Sequence, residues 1–157
     1  MAQEITPGDD ARGHRFCLVA SRFNERYVER MVSAALDVLR GRGAGEDDLT
    51  IVWVPGSFEL PLTCRWAAAS GRYDAVLAFG AVVQGETDHY RIVADVSARG
   101  LLQAMMDTDV PVLNGVLAVR DAEQASAGTG GALGNRGAEV ALAAVQMGRL
   151  RREMRPR

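Results

Sequence analysis

Lysine is absent from this 157-residue chain, and all 18 cationic side chains are arginine. That excludes any mechanism in which a lysine amine forms a Schiff base with a carbonyl substrate. Cysteine is scarce. Cys17 and Cys64 lie far apart and no C-x-x-C pair exists, which argues against a metal or redox site. Each sits in an apolar segment, so buried free thiols in a reducing cytoplasm are expected. A basic excess is also missing: the formal net charge is −2, and nothing in the balance favours nucleic acid as a partner. No apolar run approaches the roughly 18 residues that a membrane span requires. The opening MAQEITPGDDARGH is polar and acidic, unlike a signal peptide. Repeats, linkers and a second domain are not evident.

What is present is a pattern for a packed α/β domain. Hydrophobic residues make up 48% and charged residues 24%, a balance that supports a folded core. Residues 16–20 (FCLVA) read as a strand ending at a polar SRFN turn. Asn24 suits an N-cap, and Val28, Met31, Val32, Ala35, Leu36 and Leu39 recur at helical spacing. Residues 49–54 (LTIVWV) form a second strand, broken by Pro55-Gly56, with a helix to about Gly71. Residues 74–80 (DAVLAFG) form a third strand. A loop, AVVQGETD, leads to a long helix from about His89 to Thr108, stopped by Pro111. Residues 112–118 are the fourth strand. Asp121 and Gln124 suit a capping box for a short helix. A Gly-rich stretch, GTGGALG, precedes a last helix from Asn135 to about Glu153.

Continuous apolar strands joined by helices imply a parallel sheet covered on both faces. The expected architecture is a three-layer α/β/α sandwich with a flavodoxin-like, four-stranded parallel sheet. Residues 1–13 are expected to be a flexible segment, or one ordered only against a neighbour as an added strand. Residues 14–157 form the single domain. The Arg-rich end, GRLRREMRPR, reads as cations at a helix C-terminus and a solvated tail.

Ligands in such a sheet bind beyond the carboxyl ends of the strands. Three of those ends carry Ser21-Arg22-Phe23-Asn24, then Val54 to Glu59, then Ala81 to His89. Each feature has a plainer reading. Phe23 and Phe58 could cap the core, Glu59 suits a helix's first turn, His89 could be a solvated surface histidine, and GETD could simply cap a helix. Their convergence on one sheet edge is what suggests a site.

The stretches SRFN at 21–24, VPGSFELPL at 54–62, GAVVQGETDHY at 80–90, PVLNGVL at 111–117, EQA at 123–125 and GNRGAE at 134–139 resemble the lumazine synthase family in order and spacing. The resemblance runs from about residue 16 to 150. It implies a transferase of riboflavin biosynthesis that condenses 5-amino-6-(D-ribitylamino)uracil with 3,4-dihydroxy-2-butanone 4-phosphate. By the same resemblance Phe23 would stack on the pyrimidine, with Asn24 in the same binding set. Ser57 and Glu59 would hold the ribityl hydroxyls, with Phe58 in that wall. Val82 and Val83 would present backbone groups to the pyrimidine edge, joined by Ala81. Gly85, Glu86 and Thr87 would form the phosphate turn, and His89 would be the general acid/base. Asn114 and Arg136 would reach the site from an adjacent subunit. No metal and no organic cofactor is implied.

Two positions depart from the family pattern. Gly128 stands where an arginine usually contacts phosphate, and Arg136 replaces a lysine. Arg91, at a position that is usually acidic, is a candidate replacement phosphate ligand next to the Gly85–Thr87 turn. Gly128 also sustains a competing reading, a non-catalytic lumazine- or flavin-binding or shell-forming relative. The family implies a cytoplasmic homo-oligomer of pentamers: a pentamer, a decamer or a sixty-subunit icosahedral capsid. Small-molecule substrates are the expected ligands, with no nucleic acid and no membrane partner.

Overall fold

A computed structural model describes residues 1–131 and 134–155. Ala132 and Leu133 of the Gly-rich stretch, and Pro156-Arg157 of the Arg-rich tail, lie outside the described residues. The apolar runs become β1 (Phe16–Ser21), β2 (Leu49–Val54), β3 (Ala75–Val83) and β4 (Val112–Val119). Between and after them lie α1 (Glu25–Gly41), α2 (Leu60–Ala69), α3 (His89–Thr108), α4 (Ala122–Gly128) and α5 (Arg136–Met154). The four strands are parallel in the order β2-β1-β3-β4.

Strand alternation divides the core between two layers. Phe16, Leu18, Ala20, Leu77 and Phe79 face α1 and α5, while Cys17, Val19, Val76 and Ala78 face α2 and α3. The three-layer flavodoxin-like expectation is borne out. The central strands β1 and β3 are buried almost throughout, as their uninterrupted apolar runs require, whereas only Val54 of the edge strand β2 is buried. Helix α5 lies close against α1 because Gly137 has no side chain. A Cβ there would fall 2.0 Å from the Met31 carbonyl oxygen.

Several boundaries differ from expectation for local reasons. Helix α2 starts at Leu60, because Ser57–Glu59 form a 3-10 turn and Pro61 fits only a helix's first turn. Strand β3 runs to Val83, since Val82 and Val83 pair with Ala118 and Val119 of β4. Helix α3 ends at Thr108 as expected, but Asp109 and not Pro111 terminates it. Asp109 adopts a left-handed φ of 56° and its N–H returns to the Met105 carbonyl. The Gly-rich stretch forms a small antiparallel pair, β5 (Thr129–Gly131) with β6 (Gly134–Asn135), which no sequence pattern announced. Asp121 caps α4 through Gln124 N–H, and Gln124 returns to the Arg120 N–H, so the box closes one residue early.

The two chain ends meet beneath the sheet. Arg152 donates to both oxygens of the buried Asp74 at 2.8 and 2.9 Å and to the Gly13 carbonyl at 2.8 Å. Arg15 N–H also donates to Asp74. Arg149 holds the Asp10 carbonyl, Arg42 pairs with Asp9, and Ala11 is buried against the same core. The described part of the Arg-rich end therefore clasps the N-terminal segment and the start of β3. No helix of the described residues is long and apolar enough to cross a membrane.

Candidate active site

The carboxyl ends of β1, β2 and β3 open into a cleft of about 340 Å³. Its first wall comes from the turn after β1. Arg22 N–H donates to the Val54 carbonyl and Phe23 N–H to the Pro55 carbonyl, which extends the β1–β2 ladder by two residues and brings Phe23 into the cleft lining with Gly56. Asn24 has a left-handed backbone, φ 58° and ψ 38°. That geometry turns its side chain away from the helix it was expected to cap. Its amide instead donates to the Ala81 carbonyl at 2.7 Å, tying the turn to β3. Asn24 therefore stands behind the cleft wall and does not line it.

The second wall is the 3-10 turn. Ser57 points inward and is buried, Phe58 points out, and Glu59 folds back so that its Oε1 lies 3.3 Å from where a Gly56 Cβ would be. Phe23 and Phe58 are 72% and 62% exposed, which settles the core-cap alternative against both rings. Two large aromatic faces left in solvent beside one cleft suit a planar ligand.

Ala81, Val82 and Val83 form the third wall, followed by an exposed turn and α3. Thr87 Oγ1 accepts the His89 N–H at 3.3 Å, so threonine, not Asp88, caps α3. Among the described residues no acceptor pairs with the N–H groups of Gly85, Glu86 and Thr87. Free donors at a helix start favour an anion. His89 is exposed on the cleft rim. Tyr90 and Val93 also line the cleft, and neither was among the sequence candidates. For Val93, four residues after His89 on the same helix face, that spacing was the available signal.

Arg91 is exposed, and its Nε donates to the Tyr90 hydroxyl at 3.1 Å with the guanidinium 5.8 Å from that ring's centre. Asn114 and Arg136 sit elsewhere. Asn114 is level with Ala78 in the sheet, three positions before Ala81 and so about 10 Å from the cleft. Arg136 donates to the Asn114 carbonyl at 3.4 Å and pairs with Glu139 at 3.2 Å. These two residues and Gly128, which packs on Leu117, form a second group on the β4 side. Both cysteines are buried and free. Burial pushes the Cys17 thiol up to about 11 and Cys64 higher still, so neither is a nucleophile at neutral pH. Among the described residues no three His, Cys, Asp or Glu side chains come together as a metal site.

A family model described as 6,7-dimethyl-8-ribityllumazine synthase matches residues 13–152. Proteins named 6,7-dimethyl-8-ribityllumazine synthase are similar over most of the chain. The one from Halorhodospira halophila is 49% identical, covering 89% of this chain and 90% of its own. That from Gemmatimonas aurantiaca is 47% identical over 86% and 82%, and that from Xanthomonas euvesicatoria 46% over 85% and 86%. With the residues that build the cleft falling inside the matched span, the chain belongs to the 6,7-dimethyl-8-ribityllumazine synthase family.

Proposed function

We propose that this chain is a transferase that condenses 5-amino-6-(D-ribitylamino)uracil with 3,4-dihydroxy-2-butanone 4-phosphate, releasing the lumazine, phosphate and water. The observation that carries the reading is the cleft, where two exposed phenylalanines, a buried serine, free N–H donors and an exposed histidine converge. Phe23 stacks on the pyrimidine from the first wall, and Phe58 belongs to the second wall with Ser57 and Glu59. Ser57 and Glu59 take the ribityl hydroxyls. The backbone of Val82 and Val83 meets the pyrimidine edge, while the bonded pair of Asn24 and Ala81 keeps that edge in register. Gly85, Glu86 and Thr87 cradle the phosphate.

The substrate's own amine attacks the ketone, so the lack of lysine is no obstacle. Dehydration, loss of phosphate and ring closure each move a proton, a task for an imidazole at the rim such as His89. Holding two substrates together supplies a further part of the rate. Purified protein mixed with both substrates is expected to form lumazine, seen by absorbance or fluorescence, faster than the spontaneous reaction. A rate equal to the spontaneous one overturns the reading.

We further infer a cytoplasmic homo-oligomer of pentamers whose sites are shared between neighbours, closed into decamers or an icosahedral capsid in the larger forms. The cytoplasmic assignment is supported by the two buried free thiols. The separation of Asn114 and Arg136 from the cleft supports the sharing, since they reach a cleft only on an adjacent chain. Leu62 and Trp66 on α2, with Ile92, Val96 and Met106 on α3, are left exposed in the single chain, and burying them suits subunit contacts. Mixing His89→Ala subunits with Asn114→Ala subunits under reassembly conditions is expected to restore activity through mixed sites. Failure of any mixture to exceed its parents counts against sharing.

A further inference from the structure

Beneath the cleft lies a hydroxyl with no assigned part. Ser21 ends β1, is 0% exposed, and its Oγ has no hydrogen-bond partner among the described residues. Strand alternation puts it on the face of Cys17 and Val19, where an apolar side chain would carry no polar penalty. Buried hydroxyls are nearly always bonded, so an unpartnered one calls for a role.

Gly80 stands beside it on β3. A Cβ on Gly80 would fall 2.3 Å from Ser57 Oγ and 3.3 Å from Ser21 Oγ. The two hydroxyl oxygens thus approach one point, Ser21 from the strand and Ser57 from the 3-10 turn, and glycine keeps that point clear. Ser57 is 6% exposed and lines the cleft. A serine hydroxyl is one donor and two acceptors on a free rotor, and so is each hydroxyl of a polyol chain. A hydroxyl bonded to a second hydroxyl presents its proton and lone pairs to such a chain in one direction.

We propose that Ser21 is a positioning residue for this cleft. When a polyhydroxylated chain occupies it, the Ser21 hydroxyl bonds that of Ser57, directly or through one water beside Gly80. It thereby fixes which way Ser57 presents its proton and lone pairs. The proposal rests on the reading of Ser57 as a ribityl contact.

The test is a cycle of Ser21→Ala, Ser57→Ala and the double variant in the assembled protein, with KM measured for both substrates. Ser21→Ala is expected to raise the KM for the ribitylaminouracil about 3- to 10-fold, the worth of one neutral hydrogen bond. It should leave kcat and the KM for the butanone phosphate unchanged. The melting temperature should hold or rise, because an unpartnered buried hydroxyl is removed. Ser57→Ala should raise the same KM, and the double variant should be no worse than Ser57→Ala alone. Ser21→Cys, with similar volume and a weaker donor, should fall between serine and alanine. If Ser57→Ala raises that KM and Ser21→Ala does not, or if the two effects multiply, the Ser21 proposal alone is overturned. If Ser57→Ala leaves it unchanged, the Ser57 assignment falls and the proposal with it. A Ser21→Ala protein that loses its fold instead of its affinity marks the residue as structural and also overturns the proposal.

Discussion

Replacing Asp74 with asparagine tests how the sheet is closed at the end away from the cleft. Asp74 Oδ1 accepts Arg152 Nε at 2.8 Å, and Oδ2 accepts Arg152 Nη2 at 2.9 Å and Arg15 N–H at 2.8 Å. The asparagine keeps the shape but turns one of the two acceptors into a donor and removes the charge. One bond is lost outright and the survivors fall from charge-assisted, about 1.5–3 kcal/mol, to neutral, about 1 kcal/mol. Arg152 is 46% exposed against 11% for Asp74, so solvent screens the pair and the lower part of that range applies. The expected loss is about 2 kcal/mol, or about 4–8 °C in melting temperature for a domain of this size. The measurement is thermal unfolding at fixed protein concentration, since assembly adds to apparent stability. Burial alone would push the Asp74 carboxyl up. The Arg152 guanidinium and the Arg15 N–H outweigh it and hold the group below its ordinary value. A carboxyl lowered in the folded state contributes stability above its unfolded value, about 3.9, and loses it as pH falls through the folded value. The gap between parent and variant should therefore be full at pH 7 and shrink below about pH 4. Activity per folded molecule should not change, because Asp74 lies at the opposite end of β3 from the cleft. A shift under about 1 °C at pH 7, or a gap that grows on acidification, would refute the reasoning.

His89→Ala should lower turnover about 100-fold, the low end for a general acid/base, with no change in unfolding; an unchanged turnover number makes it a plain surface residue. Glu59→Ala should weaken the ribitylaminouracil by about 1.5–3 kcal/mol and the butanone phosphate far less, and equal losses in steady-state kinetics would remove Glu59 from the ribityl contacts. Arg91→Ala should weaken the butanone phosphate selectively and Gly128→Arg should restore part of it. A Cβ at 128 would meet the Leu117 methyl groups at 3.1 and 3.3 Å, so that side chain must give by a few tenths of an ångström; an unchanged affinity in Arg91→Ala takes Arg91 out of the phosphate site. A charged thiol reagent should leave the native protein unlabelled and label both cysteines once it is unfolded; labelling of the native form would contradict their burial.

The layers were legible because β1 up to Ala20 and β3 throughout carry no polar side chain, which only a strand covered on both faces tolerates. The end of α3 at Thr108 was read correctly but its cause was not, because Asp109 reaches the left-handed region without glycine and Pro111, two residues on, offers the more familiar stop. Asn24 was misread for a related reason. Capping propensity describes a side chain beside its own helix, while here β3 offers a carbonyl that the reversed backbone can reach. The clasp of Arg152 on Asp74 joins residues 78 apart in sequence and leaves no local signal. At the cleft, the residue types were visible as three clusters at strand ends, but their exposure was not. Spacing left Phe23 and Phe58 undecided between core and site, and only the course of the turns around Pro55 and Ser57 turned both rings outward. Ser21 and Gly80 could not be singled out, since a serine at a strand end and a glycine in a buried strand look unremarkable until they meet.

The chemistry asked of this cleft matches what it contains and what it lacks. The nucleophile is an amine of one substrate and the leaving group is a phosphate of the other, so the chain supplies neither a reactive lysine nor an activated thiol. What it must supply is coincidence of two ligands and a few proton movements. Coincidence is the property of fixed surfaces, and the cleft walls are of that kind: strand ends, a 3-10 turn closed by Glu59 N–H on the Gly56 carbonyl, and a turn bonded to Val54, Pro55 and Ala81. Proton movement asks less of the scaffold. His89 stands exposed on the rim, its backbone N–H engaged by Thr87, and among the described residues no carboxylate bonds its ring. In the role proposed for it, an imidazole so loosely held is poorly built for a demanding abstraction but adequate for relaying protons between intermediates that already tend to dehydrate. It follows that substitutions in the walls, which disturb how two substrates meet, should cost more in kcat/KM than the loss of the imidazole itself. Phe23→Ala should therefore fall below His89→Ala in kcat/KM for the ribitylaminouracil, and the reverse order would move the burden of catalysis from positioning to acid/base chemistry.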